Sequence, residues 1–232
     1  MTRVSVRATG RDPAWLVLVA TVALATFYYL TRTDTVGVYS PERGWAVLTG
    51  RPLRPAVHFG LSALLLGVVP VLVARRLAGL PLAELGLGPG RWRAGIAWLV
   101  VGAPLAVAAG RIAAASAAMQ AVYPLDPSVT GAPRSFVPYA LLQFLYYGAW
   151  EVLFRGVLLF GLARRFGAAS ANLLQTALSV TAHFGRPLSE TLAAIPAGLV
   201  FGLVDLRVGS VWYVALIHWL VGVSLDWFIL TT

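Results

Sequence analysis

About seven apolar runs, most of them near the length of a membrane-spanning helix, dominate the sequence. They cover residues 15–30, 56–74, 94–110, 136–162, 168–183, 191–204 and 211–230, and the sixth is the shortest. A helix needs about 20 mostly apolar residues to cross a bilayer, and backbone groups in lipid must bond within their own segment. The runs therefore predict an all-α fold, a polytopic bundle of about seven transmembrane helices that forms one integral-membrane domain over residues 1–232.

Charged residues are scarce and lie mainly between the apolar runs. Only 12% of the chain is charged, against 59% hydrophobic, a balance that a soluble domain of this size could not bury. All 18 basic residues are Arg and stand singly or in pairs, so the net charge of +9 indicates membrane-flanking residues and no nucleic-acid partner. The absence of Cys excludes disulfides, thiol catalysis and Cys-ligated metals.

The arginines favour, by a small margin, an N-terminus on the inner side of the membrane, because inner segments carry the excess of basic residues. The inner segments would hold Arg3, Arg7, Arg11, Arg75, Arg76, Arg91, Arg93, Arg164, Arg165 and Arg207, and the outer ones Arg32, Arg43, Arg51, Arg54, Arg111, Arg134 and Arg186. The polar connection 31–55 is expected to be exposed or interfacial.

A few ionisable residues fall inside or at the ends of apolar runs, where they are costly and usually functional. Glu151 and Arg155 are four residues apart, so one helical face can pair them. His183 ends one run, and His218 lies in the middle of the last one, eight residues before Asp226. By contrast, His58 is interpreted as interfacial, and Glu84, Glu190 and Asp205 as solvated residues of short connections.

One carboxylate and two imidazoles on three helices allow two kinds of chemistry. They could activate a water and stabilise an oxyanion, which would hydrolyse an amide without a covalent intermediate. Two His and one carboxylate could also hold zinc, but no H-E-x-x-H motif is present and no two histidines share a helical turn. The Glu151–Arg155 pair could alternatively be purely structural.

The order of these residues resembles the CPBP family of CAAX-processing and bacteriocin-processing intramembrane endopeptidases. That family has Glu-Glu-x-x-x-Arg on one helix, then Phe-x-x-x-His, then His-x-x-x-Asn or Asp. The corresponding stretches here are 150–156, 179–183 and 218–222, with supporting similarity at 84–87 and 196–212, so that the resemblance spans 84–226.

Three positions depart from the family pattern. Trp150 stands where the family has its first Glu, which activates water, Ser179 replaces the Phe, and Gly222 replaces the Asn or Asp. Only Glu151, Arg155, His183 and His218 carry over. Asp226, one helical turn beyond Gly222, is a candidate for the missing polar group.

The resemblance implies a membrane-embedded protease, of glutamic or metal-dependent type, that cuts a protein or peptide near the membrane surface. Glu151, helped by His183, would activate the water, His218 would donate to the oxyanion, and Arg155 would hold Glu151. We expect no metal because Arg155 lies beside the carboxylate; in a zinc enzyme Glu151, His183 and His218 would be the ligands. Membrane lipid is the expected environment, and the substrate could have a lipidated tail or a C-terminal membrane anchor, as in sorting proteases of the myxosortase type.

Two other classes of function stay open on the sequence alone. Trp150 in place of a Glu is compatible with a non-catalytic relative, such as an immunity or chaperone-like protein that binds peptides in the membrane. A transporter with a Glu and His proton relay is disfavoured because no internal repeat is detectable. The residue usage indicates a GC-rich bacterial genome, so we expect a multi-pass protein of the bacterial inner membrane.

Overall fold

The computed structural model describes residues 14–31, 55–126 and 128–232, which fold into eight helices and contain no strand. Helix α1 is Trp15–Thr31. Helix α2 runs on continuously through Pro55–Ser62, Ala63–Val68 and Val69–Ala78. Helix α3 is Trp92–Ala114 and α4 is the short Ala117–Gln120. Helix α5 runs on through Pro133–Glu151, Val152–Phe160 and Gly161–Phe166, and α6 to α8 are Ala168–Thr181, Leu188–Val208 and Trp212–Thr231.

The predicted all-α membrane bundle is confirmed. Within the described ranges, α2, α3, α5, α7 and α8 are long and apolar enough to cross a membrane, whereas α1 is an apolar helix of 17 residues. The predicted loop 31–55 lies almost wholly outside the described residues.

The prediction that the sixth run forms the shortest helix is wrong. That helix, α7, has 21 residues, because it continues through the polar residues at both ends of the apolar run and through Pro196. The fifth run forms the much shorter α6, whose 14 residues end at Thr181, so that His183 lies in the turn that follows.

Helix α5 is the centre of the bundle. In the apolar stretch of α5, 78% is buried inside the protein, whereas the corresponding share is 11–39% for the other four candidate spans. Leu153, Phe154, Val157 and Leu158 are fully enclosed and pack with α1 and α2. The side chains of Glu151 and Arg155 in the middle of α5 are therefore held deep within protein rather than facing lipid.

The middle of α5 is π-helical over Val152–Phe160, directly after Glu151. Single-turn π-helical segments within α-helices are frequent at functional sites. This segment is longer than one turn; Glu151 directly precedes it and Arg155 lies within it.

The arginines of the described ranges are unevenly distributed between the two ends of the bundle. Hydrogen bonds from Arg91 N to Val208 O and from Val211 N to Gly86 O bring the start of α3, the end of α7 and the start of α8 together. We call this the Arg-rich end, because the helix ends and connections there hold Arg75, Arg76, Arg91, Arg93, Arg164, Arg165 and Arg207. The opposite end holds only Arg111, Arg134 and Arg186 of the described arginines, and Arg155 lies in the core.

Candidate active site

Glu151 is a buried carboxylate at the centre of the bundle. Its side chain is 0% exposed, and it is the last residue of the α-helical part of α5 before the π-helical segment. A buried ionised carboxylate needs charged or hydrogen-bonding partners, since desolvation alone would cost several kcal/mol. Two partners surround it, Arg155 from the same helix and His218 from α8.

Arg155 contacts both oxygens of Glu151. Its Nη1 donates to Oε1 over 3.3 Å, and its Nε lies 3.2 Å from Oε2. The guanidinium is itself 2% exposed and lies 5.7 Å from the centre of the Phe201 ring on α7. The predicted pairing of Glu151 and Arg155 on one helical face is therefore present in the structure.

His218 completes a three-residue cluster with this pair. Its Nδ1 lies 2.6 Å from Glu151 Oε1, a contact between two helices that are distant in sequence. Because an ionised carboxylate can only accept, the hydrogen belongs on Nδ1, which leaves Nε2 with its lone pair in the neutral ring. The His218 side chain keeps 22% of its surface exposed, whereas the Glu151 carboxylate that it contacts is fully buried.

Aromatic rings enclose His218 on two sides. The centre of its ring lies 4.8 Å from that of Tyr147 on α5 and 5.8 Å from that of Phe201 on α7. Tyr147 is one helical turn before Glu151 and therefore on the same face. These two contacts restrict the orientation of the imidazole ring.

His183 lies next to this cluster, behind Trp150. Its ring centre is 5.2 Å from that of Trp150, in an edge-to-face arrangement, and its Nδ1 donates to Ser179 O over 2.7 Å. His183 lies in the turn after α6, outside the five spans, and burial lowers its pKa to about 4. It is thus neutral near pH 7, with the hydrogen on Nδ1 and the lone pair on Nε2.

Asp226 belongs to a separate buried cluster. Its Oδ2 accepts hydrogen bonds from Tyr139 over 2.9 Å and from Gln143 over 2.5 Å, both on the first half of α5. Asp226 is therefore engaged in joining α5 to α8 beyond the site, and the structure does not bring it together with Glu151.

Asp205 corrects one of the sequence-based interpretations. The sequence predicts a solvated residue in a short connection, but Asp205 is 0% exposed within α7, and neither carboxylate oxygen accepts a hydrogen bond from a described residue. Glu151 and Arg155 are the charged groups that act on it. The predicted apolar run ends at residue 204, just before Asp205, whereas the helix extends to Val208. The sequence would have indicated the burial of Asp205 only if the helix had been predicted to continue beyond the apolar run.

Two other interpretations also change, whereas Glu84 is partly exposed as predicted and forms an ion pair with Arg164. Glu190 lies in the first turn of α7 rather than in a connection, and it accepts a hydrogen bond from the Tyr123 hydroxyl over 2.9 Å. His58 contacts the rings of Phe27, Phe59 and Tyr146 in the protein interior and is only partly exposed, rather than simply interfacial.

The charged cluster does not have the form of a metal site. No three His, Asp or Glu side chains in the described parts of the chain are grouped to hold a metal ion. Glu151 faces the guanidinium of Arg155, and the Nδ1 of His218 faces Glu151 rather than a point shared with it. In this arrangement Glu151 and His218 contact each other, and the expectation that no metal takes part stays a prediction.

A comparison with protein-family models identifies a match over residues 129–224, described as Type II CAAX prenyl endopeptidase Rce1-like. This range covers α5, α6, α7 and most of α8, and includes Glu151, Arg155, His183 and His218. The match confirms the predicted resemblance to the CPBP family. Searches of curated proteins and of solved structures each found no match.

Proposed function

Because the chain is a multi-pass membrane protein that matches the Rce1-like family of type II CAAX prenyl endopeptidases, we propose that it hydrolyses a peptide bond within the membrane with water activated by Glu151 and His218. The observation that carries the proposal is the 2.6 Å contact between Glu151 Oε1 and His218 Nδ1. A carboxylate bound to one imidazole nitrogen orients the ring and stabilises the imidazolium that forms when the other nitrogen takes a proton.

The proton transfers can be assigned to named atoms. His218 Nε2 accepts a proton from water, and the hydroxide so formed attacks the carbonyl carbon of the substrate to give a tetrahedral intermediate. The imidazolium is stabilised by Glu151 and then returns the proton to the leaving amide nitrogen as the C–N bond breaks. Arg155 keeps Glu151 ionised and fixed throughout, through its contacts with both oxygens.

This assignment divides the roles differently from the expectation based on sequence, in which Glu151 is the base and His218 the oxyanion donor. Oε1 of Glu151 is bound by both His218 and Arg155, and the side chain is 0% exposed, so we assign the carboxylate to supporting His218 rather than to binding water itself. We assign His183 to orienting the attacking water, since its neutral ring offers the Nε2 lone pair beside the same cluster.

The position of the cluster supports a substrate that enters from the Arg-rich end. His218 lies in the second turn of α8, and α8 begins at that end. Basic residues are retained on the cytoplasmic side of membranes, so this end would face the cytoplasm. A site at membrane depth near that surface suits a protein whose C-terminal segment is held in the bilayer by a lipid or by a membrane anchor.

Terminus-resolved mass spectrometry of membrane proteins tests the proposal even though the substrate is unidentified. Cells with the gene should contain protein termini that cells without it lack. Those termini should disappear when Glu151→Gln replaces the wild type at equal abundance, because the neutral amide cannot stabilise the imidazolium of His218.

Glu84→Gln is the matched control for this experiment. It also removes one carboxylate from an Arg–Glu pair that involves α5, but at a partly exposed position away from the cluster. Wild-type termini are expected with Glu84→Gln. The proposal would be rejected if Glu151→Gln produced the same termini as the wild type.

One observation favours a second candidate, a protein that binds peptides without cutting them. Trp150 occupies the position of the family's first Glu, is buried, and packs against both Phe154 and His183. In that case, the mass spectra would show no terminus that depends on the gene, and a crosslinkable peptide would label wild type and Glu151→Gln equally.

A further inference from the structure

Tyr147 occupies a distinctive place beside the proposed catalytic cluster. It precedes Glu151 by one turn of α5, so the two side chains and that of Arg155 follow one face of the helix. Its ring lies against His218 with 4.8 Å between ring centres. The tyrosine is thus held between the helix that supplies the carboxylate and the helix that supplies the imidazole.

The Tyr147 hydroxyl lies against Gly222 of α8, which has no side chain to displace it. A Cβ added at Gly222 would overlap the hydroxyl oxygen of Tyr147 and would lie 2.6 Å from its Cε2. Gly222 is one helical turn beyond His218, the position at which the family pattern has Asn or Asp. In this chain, the polar atom that reaches this point comes from α5 instead of from α8.

The Tyr147 hydroxyl is available for a ligand. It forms no hydrogen bond with a residue in the described ranges, whereas the nearby hydroxyl of Tyr139 donates to Asp226 and accepts from Gln143. A phenol is both donor and acceptor and normally finds a partner when it is enclosed in protein. A free phenolic donor beside the proposed base is therefore an arrangement that favours a polar group of the substrate.

We propose that Tyr147 is a catalytic residue that donates its hydroxyl hydrogen to the substrate carbonyl oxygen as that oxygen becomes negatively charged. This inference rests on the proposed hydrolysis. When water attacks through His218, the carbonyl π electrons move onto the oxygen, and the phenol O–H hydrogen-bonds the resulting oxyanion without transferring its proton. A fixed donor in a site with little water stabilises this charge, because the donor needs no reorganisation during the reaction.

The test uses Tyr147→Phe, which removes only the oxygen and leaves the ring against His218 and Gly222. The purified protein in lipid nanodiscs would be assayed with a synthetic peptide that spans the cleavage site mapped by the terminus comparison. We expect kcat to fall about 100-fold with little change in KM, the size of loss found when one oxyanion donor is removed. Tyr213→Phe is the control, since its hydroxyl bonds Pro89 O at the Arg-rich end, and its kcat should match the wild type.

A swap of the polar group between helices gives a second, independent readout. Tyr147→Ala opens the space that the ring fills, and adding Gly222→Asn to it places an amide donor there from α8. The double variant should cleave at least tenfold faster than Tyr147→Ala alone. A kcat for Tyr147→Phe within threefold of the wild type would overturn the assignment of Tyr147 while leaving Glu151 and His218 untouched; loss of cleavage by Glu151→Gln tests those two residues separately.

Discussion

Arg155 combines a packing role in the bundle with its proposed role in holding Glu151. Its guanidinium is enclosed by the bundle, contacts both oxygens of Glu151 and lies over the ring of Phe201. Without it, the carboxylate would keep only His218 as a partner. Removing one member of a buried ion pair leaves an uncompensated charge, which typically costs about 3–5 kcal/mol.

The variant Arg155→Leu is therefore expected to lower the free energy of unfolding by about 3 kcal/mol, because Glu151 loses its cation while it stays buried. Thermal unfolding in detergent, followed by tryptophan fluorescence, measures the change. Arg164→Leu is the control on the same helix, since its ion pair with Glu84 is largely exposed and should contribute less than about 1 kcal/mol. An equal loss of unfolding free energy in the two variants would contradict the larger contribution that we expect from the buried pair.

At the scale of elements, close packing of α3 against α8 fixes the position of His218. Gly95, Gly102 and Gly110 of α3 each face a residue of α8, and a Cβ at Gly110 would lie 2.8 Å from Leu225 N and 2.9 Å from Val221 O. Small residues let membrane helices approach closely, and backbone atoms cannot move aside as a flexible side chain can. The two helices must separate if Gly110 gains a methyl group.

We expect Gly110→Ala to destabilise the protein by about 1–3 kcal/mol, the usual cost of overpacking, and to slow cleavage as α8 shifts. The unfolding temperature and the rate of peptide cleavage measure the two effects. Gly60→Ala is the matched control, because a Cβ at this position in α2 has no heavy atom within 4 Å. Unchanged stability in Gly110→Ala would contradict the close approach of α3 and α8.

At the scale of the whole molecule, the fold class and part of the site are predictable from sequence. Apolar runs between arginines determine a helical membrane bundle, and the four-residue spacing of Glu151 and Arg155 determines their pairing. The contact between Glu151 and His218 depends on the relative orientation of α5 and α8. The periodicity of each apolar run does not determine this orientation. The burial of Asp205 depends on α7 continuing beyond its apolar run.

Tyr147 escapes prediction from sequence for a different reason. It is one of two adjacent tyrosines among apolar residues, and such residues are common at membrane interfaces. Its importance arises from a pairwise relation with Gly222, a residue without a side chain on another helix. The departure from the family pattern at Gly222 becomes informative only once the structure shows that Tyr147 fills the space beside it.

The central claim is that Glu151 and His218, on different helices, act as one unit in hydrolysis. Its most direct test is a double-mutant cycle on the rate of peptide cleavage with Glu151→Gln, His218→Gln and the double variant. Residues that act as a unit have strongly non-additive effects, so each single change should cost about 1,000-fold or more and the double variant should be no slower than the slower single variant. Losses that multiply in the double variant, or a single variant that cleaves at the wild-type rate, would contradict the claim.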